Sequence, residues 1–495
     1  MNESRSDQAS RTGSPTVAVI GAGFSGIAAG IALRKQGIED FVIFERSDGV
    51  GGTWWVNRYP GAEVDLESHI YSFSHERYDW TRTHAGWREI YDYLEHVARK
   101  WGLLERIRLG ENVESVVWSE VHQSYTVTTS SGEEHGPFRA VISAVGFLNT
   151  PIIPPFARDD SVYEGEMCHT STWRDELDLG GKAVGVVGTG SSAVQVVAEA
   201  ERQAESVKVF QLEPNWLLPK DARDFTPLER RLNRLYPVYA WRRLKLYLGY
   251  DLRQMRTSHA RVDGRFNKRR RKASLEFIRS SLAGRPDLLE HSVPDFPFEA
   301  RRTVVSDTYY PALRSPKVTL VPHGVTSMTA TGVVDASGEK HDLDMVVLAT
   351  GFDAANYLGT YRVVGENGTD LHEQWNGEPE AMLGIMVPNF PNFFMMFGPN
   401  TNAIPLVTFY EAQAAFSAKL IKRLVAGQAA RIRVRRSAYL IYNDWLQSQI
   451  AKTVWVETDS YFRAGSGRIV SQWPFSASAY LMATKVLRRI GVIAE

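Results

Sequence analysis

The stretch from Thr16 to Gly37, TVAVIGAGFSGIAAGIALRKQG, limits the possible folds more than any other part of the chain. A β-branched run from Thr16 to Ile20 meets Gly21, Gly23 and Gly26, then passes into a pattern that puts Ile27, Ile31 and Leu33 on one helical side. This is strand, glycine turn, helix. Gly21 permits the tight turn, Gly23 lets a pyrophosphate approach the backbone, and Gly26 allows the helix to lie close against the sheet. Phe24 and Ser25 stand at the helix N-terminus, where backbone amides offer donors to an anion. Lys35, Gln36 and Gly37 close the helix. The next strand, FVIFE, ends in Glu45, at the distance expected of a carboxylate that grips a ribose 2′-hydroxyl. A glycine-rich turn without a ligand would leave Glu45 with no role.

A second unit of the same kind begins at AVGVVGTGSSAVQVVAEA, where Gly188, Gly190 and Ala193 occupy the three turn positions. Alanine is tolerated at the third. Thr189, Ser191, Ser192 and Gln195 are the polar candidates on and after this turn, and the following strand, SVKVFQ, runs into Gln211, Leu212 and Glu213. Two units predict two dinucleotides, and the pairing that does useful chemistry is a flavin with a nicotinamide that reduces it.

The expected fold class is α/β, with two Rossmann-like dinucleotide-binding domains, for FAD and NAD(P), and a helical insertion in the second. The strand-like segments AVISAVGF and DMVVLATGF end in turns at Gly146 and Gly351, where the chain can cross between lobes. The first domain is therefore read as discontinuous, residues 15–150 plus 345–495, interrupted by a second over 155–340. Long charged helical patterns over about 220–290 mark the insertion, and residues 1–14 read as a disordered polar leader. A chain of 495 residues can fill more than one core.

Composition excludes several classes. Lys plus Arg and Asp plus Glu are equal at 57 each, so no global field favours nucleic acid, and the basic run Lys268 to Lys272 reads as a solvated helix face. Cys168 is the only cysteine, which excludes an internal disulfide and the thiol pair of a disulfide reductase, and fits a reduced, cytoplasmic setting. No apolar run is long enough to span a bilayer, so no membrane insertion is expected. No metal site is expected, since no second ligand stands at a suitable spacing from His169.

Between the two units lies YEGEMCHTSTWRD, which resembles the fingerprint of type I Baeyer-Villiger monooxygenases, Phe-x-Gly-x-x-x-His-x-x-x-Trp followed by Pro or Asp. Tyr163, Gly165, His169 and Trp173 match in spacing, with Tyr in place of Phe and Arg174 at the last position. A second signature is matched from Gly51 and Gly52 through Trp54, Tyr59, Pro60 and Gly61 to Asp65, and the likeness continues through FGPNT at Phe397 to WPFSASAY. The resemblance implies an FAD-dependent enzyme that inserts one oxygen atom from O2 beside a ketone carbonyl, giving an ester or lactone through a flavin C4a-peroxide, with NADPH or NADH as donor. It places Gly52, Thr53, Trp54, Asp65 and Tyr71 around the FAD, with Val113 toward the adenine end. PFEARRTVVSD is similar to the family's Pro-Phe-x-x-Lys-Arg-Pro segment, which makes Arg302 the active-site arginine and Asp65 the acid that holds it. A permanently charged guanidinium suits an anionic reactive oxygen species. His169 becomes a contact on the linker between lobes, and Cys168 a packing residue.

The chain also departs from the family. Where members carry Gln-Arg-Thr-Pro-Asn-Trp, with the arginine gripping the 2′-phosphate of NADPH, this chain has FQLEPNW. Leu212 cannot bind phosphate, and Glu213 would repel it but could hydrogen-bond a free ribose hydroxyl. Arg301 replaces the family lysine and keeps a positive charge at the cofactor. NADH is therefore expected to be accepted well, with NADPH preference reduced or lost. The expected substrate is a hydrophobic small-molecule ketone. Two rival readings are a flavin monooxygenase that oxidises nitrogen or sulfur, and a flavin-binding protein without oxygenase turnover.

Overall fold

The computed structural model describes residues 16–158, 162–258, 262 and 264–495. The expected leader lies outside them.

Two parallel sheets dominate. In the first, strands run in the order Phe393–Met395, Ala140–Ser143, Val17–Ile20, Phe41–Phe44 and Ile107–Arg108. In the second, the order is Val318–Val321, Ser206–Phe210, Ala183–Val187, Met345–Leu348 and Glu166–His169. The central strands VAVI, FVIF and AVIS are buried along their whole length, as expected where both faces of a parallel sheet are covered. Each glycine turn follows a central strand, so both candidate dinucleotide sites lie at the carboxyl ends of the strands.

The helix Phe24–Lys35 departs from the one-sided pattern read in the sequence. Every residue from Phe24 to Leu33 is buried, because the long helix Leu406–Val425 covers the side away from the sheet. Small residues at Ala28, Ala29, Gly30 and Ala32 make that double burial possible by keeping the helix thin. A segment nearly four hundred residues downstream thus completes the first lobe.

The domain boundary expected at residue 345 is corrected. Met345–Leu348 pairs in parallel with Ala183–Val187, so this strand belongs to the second sheet, and the chain leaves that lobe only after Leu348. Strand pairing with a partner distant in sequence, which hydrophobicity alone cannot reveal, decides the point. The crossing segments at Gly146 and Gly351 both have positive φ, and they run side by side: Ile152 N–H donates to Gly351 O at 2.9 Å, and Thr350 Oγ1 to Ile152 O at 2.6 Å.

The segment over 220–290 is built of helices Pro227–Asn233, Tyr236–Ser258, Arg265–Ser281 and Pro286–Glu290. The basic run lies on the third of these, with Lys268, Arg269, Arg271 and Lys272 exposed. Arg270 departs from the solvated reading, since it pairs with the buried Glu299 at 3.0 Å. One hydrophobic cluster runs through both lobes, from Val17 and Ile27 to Val184 and Val209, and smaller clusters fill the outer face of each sheet. No helix among the described residues is long and apolar enough to cross a membrane.

Candidate active site

The first glycine turn opens into a cavity of about 290 Å³. Gly21 has φ +99°, and a Cβ there would lie 2.7 Å from Ala144 O. At Gly26 a Cβ would fall 1.8 Å from Gly21 O, which no side chain can satisfy. Gly23 faces Gly52, whose own φ of +55° brings a second backbone against the first. The helix N-terminus carries no side-chain cap, which leaves its amides for another acceptor. Phe24, Ser25, Gly52, Thr53, Trp54, Tyr71 and Val113 all line the cavity, as does Glu45. The Glu45 carboxylate is buried and accepts from Ala22 N–H at 2.7 Å and Ser47 N–H at 2.9 Å. A carboxylate has further lone pairs, so both oxygens can still accept from a hydroxyl.

Trp54 Nε1 donates to Tyr71 Oη at 3.1 Å, and burial pushes the Tyr71 phenol up to about 12. Both rings therefore present neutral apolar cover. Trp55 points elsewhere: its ring lies against Gly49, its Nε1 donates to Asp48, and Arg58 stacks over it at 4.7 Å.

The rest of that signature does something different. Tyr59 Oη donates to Gln195 Oε1 at 2.8 Å and reaches Ser192 Oγ at 3.1 Å, while Gln195 Nε2 donates to Glu63 O at 3.0 Å. A Cβ on Gly61 would sit 2.8 Å from Gln195 O. The Tyr59 to Asp65 segment is thus docked on the start of helix Ser191–Gln203, and Gln195 has both ends of its amide engaged at the lobe interface. Ser191 Oγ stands 3.5 Å from Asp65 Oδ2.

Arg302 forms an ion pair with Asp65 across that interface, and Tyr461 stands close enough to interact with the same guanidinium. Desolvation works against the charge of Arg302, but Asp65 and Tyr461 outweigh it and raise its pKa, so the side chain stays cationic. Its side chain is 46% accessible, although surrounding protein desolvates it. Neither Arg302 nor Asp65 lines the 290 Å³ cavity itself, yet both act electrostatically on Tyr71 at its wall.

The segment that carries Tyr163, Gly165, His169 and Trp173 is structural in most of its parts. Tyr163 Oη donates to Leu343 O at 2.9 Å, a Cβ on Gly165 would strike that phenol, and Trp173 is buried in the main core. Ser171 N–H donates to His169 Nδ1 at 3.1 Å, so Nδ1 is the acceptor and Nε2 donates to Gly351 O at 3.1 Å. Burial lowers the pKa of His169, the Gly351 hydrogen bond opposing it, so the ring is neutral and ties one lobe's edge strand to the crossing segment. Its neighbours Ser171 and Thr172 then face into the cavity.

At the second turn, Gly188 has φ +117° with Ala349 O 2.6 Å from a notional Cβ, whereas Gly190 has open space around it. Ala193 is fully buried against the sheet. Thr189 Oγ1 donates to Glu213 O at 2.8 Å. The Glu213 carboxylate is paired with Arg301, which also donates to Asp459 O at 2.9 Å and stacks on Phe296 at 4.5 Å. Leu212 is 82% exposed beside them.

The family model described as pyridine nucleotide-disulphide oxidoreductase matches residues 18–278. Since Cys168 is the sole cysteine and burial pushes its thiol up to about 12, the likeness lies in the paired dinucleotide folds and not in thiol chemistry. A Baeyer-Villiger monooxygenase of Pseudomonas aeruginosa is 34% identical over 491 residues, covering 95% of this chain and 92% of that one. The chain belongs to the Baeyer-Villiger monooxygenase family. A steroid monooxygenase solved with NADP superposes on this monooxygenase with a TM-score of 0.87 at 29% identity, over 97% of this chain and 99% of that one. A phenazine N-monooxygenase of Lysobacter antibioticus is 30% identical over 81% of both chains.

FAD fits the residues of the first turn: glycines where a Cβ would clash, uncapped helix amides, a buried carboxylate and two flat apolar rings around one cavity. Four residues of this monooxygenase's site escaped sequence reading. Tyr461 lies in the Trp455 to Trp473 stretch, whose path the sequence does not reveal, and Tyr410 reaches the cavity wall from the helix Leu406–Val425. Ser171 and Thr172 lie inside the fingerprint, and their position between His169 and Trp173 is the signal that could have found them.

Proposed function

We propose that this monooxygenase converts a hydrophobic ketone to an ester or lactone, with Arg302 as the cation that stabilises the negative oxygen of the reaction and Asp65 as its positioning residue. The ion pair between Arg302 and Asp65, reinforced by Tyr461, carries the reading. FAD, when bound, would take reducing equivalents from the nicotinamide and supply the oxygen atom from O2. The chain's own part is to bind and orient. Gly21, Gly23 and Gly26 with Glu45 would hold the dinucleotide, and Trp54 and Tyr71 would exclude water from the ring. Arg302 would keep a fixed, pre-positioned positive charge where oxygen becomes anionic.

Gly188, Thr189, Gly190, Ser191 and Ser192 would hold the nicotinamide cofactor, with its adenosine ribose toward Glu213. Arg301, the cation beside Glu213, is engaged with that carboxylate and not free for a 2′-phosphate. NADH is therefore used well. Steady-state kinetics with both donors test this, and a preference for NADPH of about a hundredfold or more, roughly 2.7 kcal/mol, would overturn it.

The deciding experiment is a ketone panel scored by mass spectrometry for gain of one oxygen, run on wild type and Arg302→Ala. The variant is expected to bind FAD and lose ester formation by about 3 kcal/mol of transition-state stabilisation, on the order of a hundredfold in rate. Ester at the wild-type rate would remove Arg302 from the mechanism. Likeness to the phenazine N-monooxygenase keeps nitrogen oxidation as a second reading. An aromatic amine in the same panel, oxidised in preference to every ketone, would favour it.

A further inference from the structure

A second cavity, of about 700 Å³, lies away from both glycine turns, between helices Tyr236–Ser258, Leu406–Val425 and Ala477–Ile490. Its walls are apolar where the helices face one another, with Leu244, Ala412, Phe416 and Leu481 among them. The cavity's charge is one-sided: Arg77, Arg243, Lys419, Lys485 and Arg488 line it against one carboxylate, Glu411. In a chain with equal numbers of acidic and basic residues, that imbalance is local.

The existing contacts do not neutralise it. Glu411 already accepts from Ser74 N–H at 2.7 Å, Ser74 Oγ at 2.9 Å and His75 at 3.1 Å. Arg243 directs its guanidinium to the His69 and Ser72 carbonyls and to Ser72 Oγ, not to Glu411. Among the described residues, no carboxylate pairs with Lys419, Lys485 or Arg488. Both others repel Lys419: its pKa is lowered first by Arg488, then by burial and Lys485. Three like charges gathered at the edge of an apolar trough suit a ligand that brings an anionic head and a hydrocarbon tail.

We propose that this cavity binds a single-chain fatty carboxylate, its head held by Lys419, Lys485 and Arg488 and its chain laid between Leu244, Phe416 and Leu481. The volume is within the range of small-molecule pockets. The site would also touch the redox centre indirectly, because helix Leu406–Val425 presents Tyr410 to the first cavity and Lys419 to this one. Free phosphate would satisfy the cations but leave the apolar walls wet. A cationic amphiphile would satisfy the walls and be repelled by the rim.

The test is isothermal titration calorimetry on the FAD-loaded protein with sodium dodecanoate below its micellar concentration. Dodecyltrimethylammonium, inorganic phosphate and phosphatidylglycerol vesicles serve as the other arms. One-to-one binding of dodecanoate, without binding of the cation or of phosphate, is expected. The double variant Lys419→Glu, Arg488→Glu should weaken it at least tenfold, with the bound-flavin spectrum unchanged. Ala415→Trp, at an exposed position on the same wall, should weaken it by blocking the trough. The proposal fails if dodecanoate gives no heat, if the double variant binds it as tightly as wild type, if the cationic amphiphile binds equally well, or if only vesicles bind.

Discussion

The two glycine turns share a sequence pattern and differ in how tightly the protein closes around them. At the first position they are alike, since Gly21 and Gly188 both take positive φ under a carbonyl of the neighbouring strand end. They diverge after it. A Cβ on Gly26 would overlap Gly21 O, whereas Ala193 carries one without difficulty; Gly23 abuts Gly52, whereas Gly190 faces open space. Glu45 is buried with both oxygens fixed by backbone amides, whereas Glu213 is half exposed and paired with Arg301. The first turn is closed tightly by its surroundings, and the second is left open.

The largest effect should come from forcing the first turn to resemble the second. Gly26→Ala is expected to yield protein without flavin, or no folded protein, because the backbone it would displace forms the turn itself. Gly190→Ala should fold, keep its flavin and raise the KM for the nicotinamide about tenfold or more, because only the ligand's approach is obstructed. Flavin absorbance after purification and steady-state kinetics check the pair, and a flavin-loaded Gly26→Ala enzyme would erase the contrast. The next effect concerns the carboxylates. Glu213→Gln frees Arg301 for a 2′-phosphate and should shift donor preference toward NADPH by about 1.4 kcal/mol, roughly tenfold. Glu45→Gln should instead weaken flavin retention and leave donor preference alone.

The smallest effect is on acid stability, and it sharpens the comparison at the interface between the lobes. Burial lowers the pKa of His84 to about 4, with Lys220 adding to the effect and Asp65 opposing it. The unfolded chain binds this proton near the ordinary histidine value of 6.5, so the folded state is favoured above that pH and loses the contribution as pH falls toward 4. His84→Gln should therefore flatten the loss of unfolding free energy between pH 6.5 and 4, by an amount on the order of 1–3 kcal/mol, read from denaturant unfolding across that range. A variant with the same acid sensitivity as wild type would place the titration elsewhere.

Residues whose role depends on local backbone geometry could be read from the chain alone. Gly21 and Gly26 are examples, since a positive φ or an oxygen inside van der Waals distance leaves glycine no competitor. Motif resemblance brought Arg302 and Asp65 forward as a pair, although they stand 237 positions apart. Tyr461 had no such marker, because it reaches Arg302 from a loop with no periodicity to give its direction. The boundary at residue 345 went astray for a related reason: Met345–Leu348 is equally apolar whichever sheet it joins, and only pairing with Ala183–Val187 decides. Gln195 looked like a ligand contact because it follows a glycine turn, and the structure turns it to Tyr59 and Glu63.

The chain by itself determined that there are two dinucleotide folds and where each turn falls, because strand, turn and helix are local events set by φ, side-chain volume and period. Tertiary structure alone decided how the lobes meet: Tyr59 on Gln195, Tyr461 beside Arg302, Gly351 as the partner of His169, and the charged trough behind helix Leu406–Val425. Those contacts join residues far apart along the chain, and their energies exist only once two separately packed cores have fixed the distance between them.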